Sequence, residues 1–266
     1  PRNVDHFRAT SGLSGDVYLA HYDSKRDEWK KELGPWYEKN VDFSVEHSGL
    51  KFWLAKDVLL PSQQEAKKLP RVDIHNYDYL WILDEDAHFY DTNLAKMFEL
   101  ASRAGASIMA PSFTTLRNED TKVHVRKRID HYCQPTEPPC IHQAPDHQCS
   151  FRYTNFIETP FPFMRPQVFE EVIGGCKECF PNRTSTWGLD KIWCHYAAHV
   201  EHIHWEQGCA IIDATPIIHE NTKAHPKYSK RGTTCGKECN FKTHDAVLKA
   251  LSEYESWPPK TTSCEQ

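Results

Sequence analysis

Three consecutive acidic residues, Asp84, Glu85 and Asp86, follow the most apolar segment of the chain, residues 77–83 (YDYLWIL). Such a run is typical of a buried strand, and in an open α/β sheet ligands bind beyond the carboxyl ends of the strands. Two carboxylates separated by one residue can both reach a single hard cation, and oxygen ligands favour magnesium, manganese or calcium over zinc. Such a cation neutralises a diphosphate and stabilises it as a leaving group. The alternative is that these residues only cap a helix or form a solvated turn.

Three further residues carry groups that could serve the same chemistry. Asp190 ends the sequence 187–190 (WGLD), where it either caps a helix or takes a proton from an attacking hydroxyl. Glu158 lies among apolar neighbours, and because burying a lone carboxylate is costly, we expect it to be paired or to face a pocket. His219 ends the apolar segment 210–219, and it is a candidate metal ligand only if the fold brings it to the acidic turn. Otherwise it is an ordinary core or surface histidine.

The ten cysteines all lie in the second half of the chain, from Cys133 onward. In an oxidising compartment they would form disulfides that fasten long loops, and in the cytosol they would more often be zinc ligands. Cys176 and Cys179 have the spacing of a zinc knuckle, but no second such pair follows them. Asn182 begins a glycosylation sequon, which has a meaning only in a secretory protein. Together these features favour disulfides over zinc.

The hydrophobic periodicity predicts an α/β fold that forms a single domain over residues 1–266. The order of strand, acidic turn, helix, glycine and strand over residues 77–111 is that of a βαβ unit. Residues 112–155, rich in cysteine and proline, are predicted to be a cross-linked loop or lid, and residues 223–266 a C-terminal extension. The other predicted strands are residues 17–22, 44–47, 50–54, 210–213 and 216–219, and the predicted helices are residues 61–69, 92–104, 167–173, 189–199 and 245–254, with a loop from residue 256.

Composition excludes several classes of protein. Hydrophobic residues make up 39% and charged residues 26%, which is typical of a globular rather than a disordered chain. The net charge of -5, from 37 acidic and 32 basic residues, argues against nucleic acid as a partner. No apolar run approaches the roughly 18 residues that span a bilayer, so we expect contact with a membrane only through an anchor outside this chain.

The order of these motifs resembles the GT-A family of nucleotide-sugar glycosyltransferases, and more narrowly it is similar to DUF707-like glycosyltransferases. The motifs that carry the resemblance are residues 84–86 (DED), 158–162 (ETPFP), 187–190 (WGLD) and 212–219 (IDATPIIH). It covers residues 15–222. It implies a GT-A (Rossmann-like) fold, with a mixed, mainly parallel sheet flanked by helices and a cysteine-rich, disulfide-linked insertion.

The resemblance also implies a role for each candidate residue. Asp84 and Asp86 would hold a divalent metal, Mn²⁺ or else Mg²⁺, and His219 would complete its site. Asp190 would be the catalytic base. The residues implied to bind the donor nucleotide are Tyr22, Asp23, Lys51 and Glu85. The residues implied to bind the acceptor or the sugar are Glu158, Trp187 and Gly188.

The sequence therefore predicts a metal-dependent enzyme that moves a sugar from a nucleotide-sugar donor to a hydroxyl of a glycan or glycoprotein, with inversion. One alternative is a disulfide-rich carbohydrate-binding protein without turnover, in which some of the eight tryptophans would stack on sugars. The other is a metal-dependent hydrolase built on the same acidic turn. The cysteines and the sequon at Asn182 predict the secretory pathway, either the Golgi lumen, as the lumenal part of a type II membrane protein, or secretion.

Overall fold

The computed structural model of the chain describes residues 1–120, 125–130, 141–220 and 236–266, without the side chains of residues 117–120 and 125–127. The strands, numbered in chain order, are β1 (Tyr18–His21), β2 (Phe43–Glu46), β3 (Leu80–Trp81), β4 (Ala87–His88), β5 (Ile108–Asp120), β6 (Val125–Ile129), β7 (Phe151–Thr154), β8 (Phe163–Met164), β9 (Cys209–His219) and β10 (Thr261–Glu265).

The α-helices are α1 (Arg2–Thr10), α2 (Arg26–Leu33), α3 (Pro35–Asn40), α4 (Lys51–Leu59), α5 (Pro61–Lys67), α6 (Leu94–Ala104), α7 (Pro166–Val168), α8 (Trp193–Val200) and α9 (Lys237–Ala250). A π-helix, Phe169–Gly175, continues α7. Short 3-10 helices cover Ile74–Asn76, Leu189–Lys191, Trp205–Gln207 and Ser252–Tyr254.

The main sheet is mixed, and its strands follow the order β10-β7-β9-β5-β8-β3. β5 and β9 are parallel, and β8 lies antiparallel between β3 and β5. β3 and β5 therefore run in the same direction, as the predicted βαβ unit requires, although they are not neighbours. β4 pairs with β9 and β6 with β5, while β1 and β2 form a separate parallel pair.

The main sheet has a hydrophobic core on each face. Ile108 of β5 and Ile211 of β9 belong to one cluster, and the adjacent Met109 and Ile212 belong to the other. Successive side chains of a strand point to opposite faces, so the two clusters lie on opposite sides of the sheet. The first cluster contains buried residues of α4 and α8, and the second contains those of α6.

Helix α6 illustrates how the sequence forms these layers. The side chain of Asn93 accepts a hydrogen bond from the backbone N–H of Lys96 and caps the helix, and Gly105 ends it with a φ of 60°. The apolar residues recur every three or four positions, so one face of the helix is apolar. That buried face consists of Leu94, Met97, Leu100, Ala101 and Ala104.

Two strand predictions are wrong in whole or in part. In the predicted strand 50–54, Leu50 precedes α4 and residues 51–54 form its start, because Phe52, Ala55 and Val58 recur at helical spacing and are buried together. A short apolar run does not by itself distinguish a strand from a buried helix. Within the run at 77–83, only Leu80 and Trp81 pair as a strand.

The segment predicted as a loop or lid, residues 112–155, is ordered sheet at both ends. Residues 112–120 continue β5, and residues 151–154 form β7 between β9 and β10. Residues 121–124 and 131–140 of this segment lie outside the described residues. The tail, predicted as a loop from residue 256, adds β10 to the edge of the sheet instead.

Three disulfides stabilise the described part of the chain. They join Cys149 to Cys264, Cys176 to Cys179, and Cys194 to Cys209. The disulfide prediction is confirmed for these cysteines, and the zinc-knuckle alternative is wrong for Cys176 and Cys179. Cys133, Cys140 and Cys235 lie outside the described residues. Disulfides fit a lumenal or secreted domain. The described part of the chain contains no helix with the length and apolar character that a bilayer crossing requires.

Candidate functional site

The acidic turn lies beside His219 because of the pairing of β4 with β9. Ala87 of β4 is opposite His219 of β9, and this register places His219 Nε2 3.5 Å from Asp86 Oδ1. Asp86 is only 9% exposed. The imidazole meets the rings of Phe113 and Phe161 edge-on. The fold thus brings the histidine to the acidic turn, which is the condition for its role as a metal ligand.

The carboxylate of Asp84 is bound by Lys51, the first residue of α4. Lys51 Nζ donates to Asp84 Oδ2 at 2.9 Å and to the carbonyl oxygens of Thr159 and Pro160 at 2.6 and 2.8 Å. Burial lowers the pKa of the Lys51 ammonium, while the negative charge of Asp84 opposes this shift. Lys51 therefore connects the acidic turn to the segment that follows Glu158.

The end of β1 also reaches the acidic turn. The hydroxyl of Tyr22 donates to Glu85 Oε1 at 2.8 Å. Asp23 is used locally, since its Oδ1 accepts from the backbone N–H of Lys25 at 3.1 Å. The fold thus brings Tyr22 and Glu85 into contact, and it places Asp23 in the turn next to them.

Two carboxyl groups with raised pKa values lie close to this cluster. Burial raises the pKa of Glu158 to about 7, and the charge of Asp190 adds to the effect. The backbone N–H of His142, which donates to Glu158 Oε1 at 2.9 Å, and the charge of His219 act in the opposite direction. Burial also raises the pKa of Asp190, against the positive charge of Lys191. Glu158 is therefore an electrostatic neighbour of both Asp190 and His219.

Gly188 allows α9 to pack against the short helix Leu189–Lys191 that carries Asp190. Its φ is 95°, and a Cβ added there would lie 3.1 Å from the Cα of His244 in α9. A side chain at this position would be strained by both the backbone conformation and the contact. Trp187 is 47% exposed, and its ring meets that of Phe241, 46% exposed, at 5.6 Å between centroids.

The candidate metal ligands are of types that suit a divalent metal, although only two of their side chains lie close together. Among the residues that the structure describes, no group of three His, Cys, Asp or Glu side chains is arranged to hold a metal ion. Asp86 and His219 supply one carboxylate and one imidazole, while Asp84 is bound by Lys51. Carboxylates suit both Mg²⁺ and Mn²⁺, and the softer imidazole shifts the preference of the pair towards Mn²⁺.

A comparison with protein families matches the chain to a family described as protein of unknown function (DUF707), over residues 3–257. The chain belongs to the DUF707 family. The matched range contains every candidate residue at positions 22 to 219, and it ends before β10. The resemblance to DUF707-like proteins is therefore confirmed. No curated protein matches this DUF707 chain.

In this DUF707 protein, Gln143 holds Glu158 in place, a role that the sequence did not indicate. Gln143 Oε1 accepts from the backbone N–H of Glu158 at 3.0 Å, and Gln143 Nε2 donates to the carbonyl of Pro111 at 2.6 Å. Both contacts are made to backbone atoms, which every residue type provides. No pattern of residue types could therefore have revealed them.

Asp57 connects α4 to the segment before the WGLD motif of the DUF707 chain through an ion pair with Arg183. Its Oδ2 lies 2.8 Å from His47 Nε2, 2.8 Å from Lys67 Nζ and 2.6 Å from Arg183 Nη2. Burial would raise the pKa of Asp57, but the hydrogen bonds from these partners outweigh burial and lower it. The signal in the sequence that could have indicated this role is a charged residue next to Val58, on the side of α4 that is buried.

The side chain of the sequon residue Asn182 forms hydrogen bonds with Thr184 and Cys239. Its Oδ1 accepts from the backbone N–H and the hydroxyl of Thr184 at 2.9 and 2.8 Å. Its Nδ2, the atom to which a glycan would be attached, lies 3.3 Å from Cys239 Sγ of α9. The side chain of the sequon asparagine therefore lies against α9 in the folded DUF707 chain.

Proposed function

We propose that this DUF707 protein is a metal-dependent glycosyltransferase that moves a sugar from a nucleotide-sugar donor to a hydroxyl of a glycan or glycoprotein. The observation that carries the proposal is the 3.5 Å approach of His219 Nε2 to Asp86 Oδ1, with Glu158 as the electrostatic neighbour of His219. A metal-binding pair and the buried carboxyl of Glu158 would thus share the edge of the sheet where β3 and β9 end. Ligands of open α/β sheets bind at this edge.

In the proposed site, Asp86 and His219 would hold Mn²⁺, which would supply the positive charge that a departing diphosphate needs. Tyr22 and Glu85, which are hydrogen-bonded to each other beyond β1, contact the nucleoside, and Asp23 lies beside them. These residues bind and orient the donor, and much of the catalytic gain of such a site comes from positioning and charge stabilisation.

Asp190 takes the proton of the attacking hydroxyl. The acceptor oxygen forms a bond to the anomeric carbon as the bond to the diphosphate oxygen breaks, and the proton passes to the carboxylate. A general base works best when its pKa is close to the working pH, and burial moves the pKa of Asp190 upward from its ordinary acidic value. A base that activates the acceptor directly favours inversion. Glu158, Trp187 and Gly188 line the acceptor side.

A carbohydrate-binding protein without turnover is the second candidate, and the exposed aromatic pair of Trp187 and Phe241 favours it. In that case the binding of sugar would survive Asp86→Asn. A hydrolase on the same turn would consume a sugar nucleotide with water alone, whereas a transferase also requires an acceptor.

The disulfides support a lumenal site of action. We propose the Golgi lumen, with secretion as the alternative.

The proposal is tested by the thermal unfolding of the wild type with nucleoside diphosphates, with and without Mn²⁺. A ligand at a hundredfold excess over its Kd adds about 2.7 kcal/mol to stability, so we expect Tm to rise by several degrees only when both are present. The rise should disappear in Asp86→Asn and persist in Asp91→Asn, a matched change at an exposed position of the same segment. If no nucleoside diphosphate raises Tm with Mn²⁺, the transferase proposal is wrong.

A further inference from the structure

The ammonium of Lys51 has no hydrogen left for a bound ligand. A lysine ammonium has three N–H groups, and Lys51 Nζ has three acceptors at 2.6 to 2.9 Å: Asp84 Oδ2 and the carbonyl oxygens of Thr159 and Pro160. A residue that contacts a donor diphosphate would need at least one hydrogen free. The predicted role of Lys51 as a diphosphate ligand therefore does not fit its hydrogen bonds.

The three acceptors come from two separate parts of the site. Asp84 belongs to the acidic turn, and Thr159 and Pro160 directly follow Glu158. Lys51 is fixed from the other end, because the adjacent Phe52 is buried in the core. One carboxylate and two carbonyl oxygens are the type of ligand set that surrounds a hard metal cation. Here a covalently attached cation, 17% exposed, occupies that set.

We propose that Lys51 is a tethered cation that takes the place of a metal ion at Asp84 and joins the acidic turn to the Glu158 segment. Asp84 is then a positioning residue, which acts through Lys51 and not as a ligand of the metal. The role of Asp84 rests on the proposed function, because it assigns the metal to Asp86 and His219. The role of Lys51 as a tethered cation is independent of any metal.

The link that Lys51 forms between the acidic turn and the Glu158 segment is tested without metal, in the presence of a chelator. Because Lys51→Ala leaves an uncompensated carboxylate, we expect Tm to fall by about 4 to 8 °C. The matched control is Lys96→Ala, since Lys96 is bound to Glu99 at the same 2.9 Å but both side chains are exposed. An exposed ion pair contributes little, so that variant should lose less than about 2 °C.

Added methylammonium should restore part of the Tm of Lys51→Ala, because a small cation with N–H groups can enter the vacated space. Tetramethylammonium at the same concentration has no N–H group and should have no such effect. Lys51→Met should show the fall in Tm without recovery, since its side chain fills the space. If Lys51→Ala loses no more than Lys96→Ala, or if both cations act alike, Lys51 is not a tethered cation.

The role of Asp84 is tested by titrating Mn²⁺ calorimetrically. Asp84→Asn should bind Mn²⁺ within about threefold of the wild type, Asp86→Asn at least tenfold more weakly, and Lys51→Met more tightly, since it releases Asp84. Equal losses in the two aspartate variants would make Asp84 a metal ligand and overturn the inference. The wild type could bind no Mn²⁺ while methylammonium still restores part of the Tm of Lys51→Ala. In that case the proposed function is wrong, and the link that Lys51 forms between the acidic turn and the Glu158 segment is supported.

Discussion

Replacing Glu158 by glutamine should make the protein more stable at alkaline pH, although the residue lies in the candidate site. Burial raises the pKa of this carboxyl from 4.5 to about 7. Because the folded state binds the proton more tightly than the unfolded state, Glu158 favours folding below pH 4.5, and this contribution is lost as pH rises to 7. At about 1.4 kcal/mol per pKa unit, the ionised side chain costs the folded state about 3 kcal/mol at pH 8. Glutamine does not ionise and avoids this cost.

The measurement is urea unfolding of wild type and Glu158→Gln between pH 4 and pH 8.5, with a chelator present. The difference in the free energy of unfolding should grow from pH 4.5 to pH 7 and then stay level. Asp213, whose pKa burial also raises to about 7, is present in both proteins and cancels. The matched control is Glu178→Gln, at an exposed glutamate, measured over the same pH range. If the difference for Glu158→Gln does not change with pH, the reasoning is refuted.

Three further outcomes are expected. Gly188→Ala, with a φ of 95° and a 3.1 Å contact to His244, should lose about 2 kcal/mol or more and become more sensitive to protease in α9. Cys264→Ser should lower the free energy of unfolding by about 2 to 5 kcal/mol, measured under non-reducing conditions, because the bridge to Cys149 closes a separation of 115 residues. Leu100→Ala should cost about 2 to 5 kcal/mol in urea unfolding and leave the Mn²⁺ affinity unchanged, since it creates a cavity on the α6 side of the sheet.

Periodicity in the sequence predicts elements that are long or strongly amphipathic. The apolar stripe of α6 and the glycine after it predict that helix to within two residues of its start, and α5 and α8 also form within or close to their predicted ranges. The first residues of α4 were predicted as a strand because four of the five residues at 50–54 are apolar, and the helical spacing of Phe52, Ala55 and Val58 becomes visible only when the window extends beyond residue 54. β10 could not be predicted, because its exposed polar residues pair with β7 through backbone atoms.

For the site, the sequence supplies the residue types but not their partners. The order of motifs names Asp86 and His219, and their approach follows from the antiparallel pairing of two residues of β4 with β9. The hydrogen bonds of Lys51 depend on carbonyl oxygens about 108 positions away in the chain, which no spacing rule detects. Asp213, within the motif at 212–219, is structural: its Oδ1 accepts from Arg152 Nη1 at 2.7 Å.

The tail after α9 lies against the candidate site, and this affects how the protein would respond to nicking. Both the backbone N–H and the hydroxyl of Ser256 donate to the carbonyl of Lys191 at 2.7 Å, one residue from Asp190. A protease that cuts after Glu255 would release this anchor, yet the excised peptide would stay attached through Cys264. Electrophoresis would therefore separate the two fragments only after dithiothreitol is added, and the nicked form would pass as intact in a non-reducing gel.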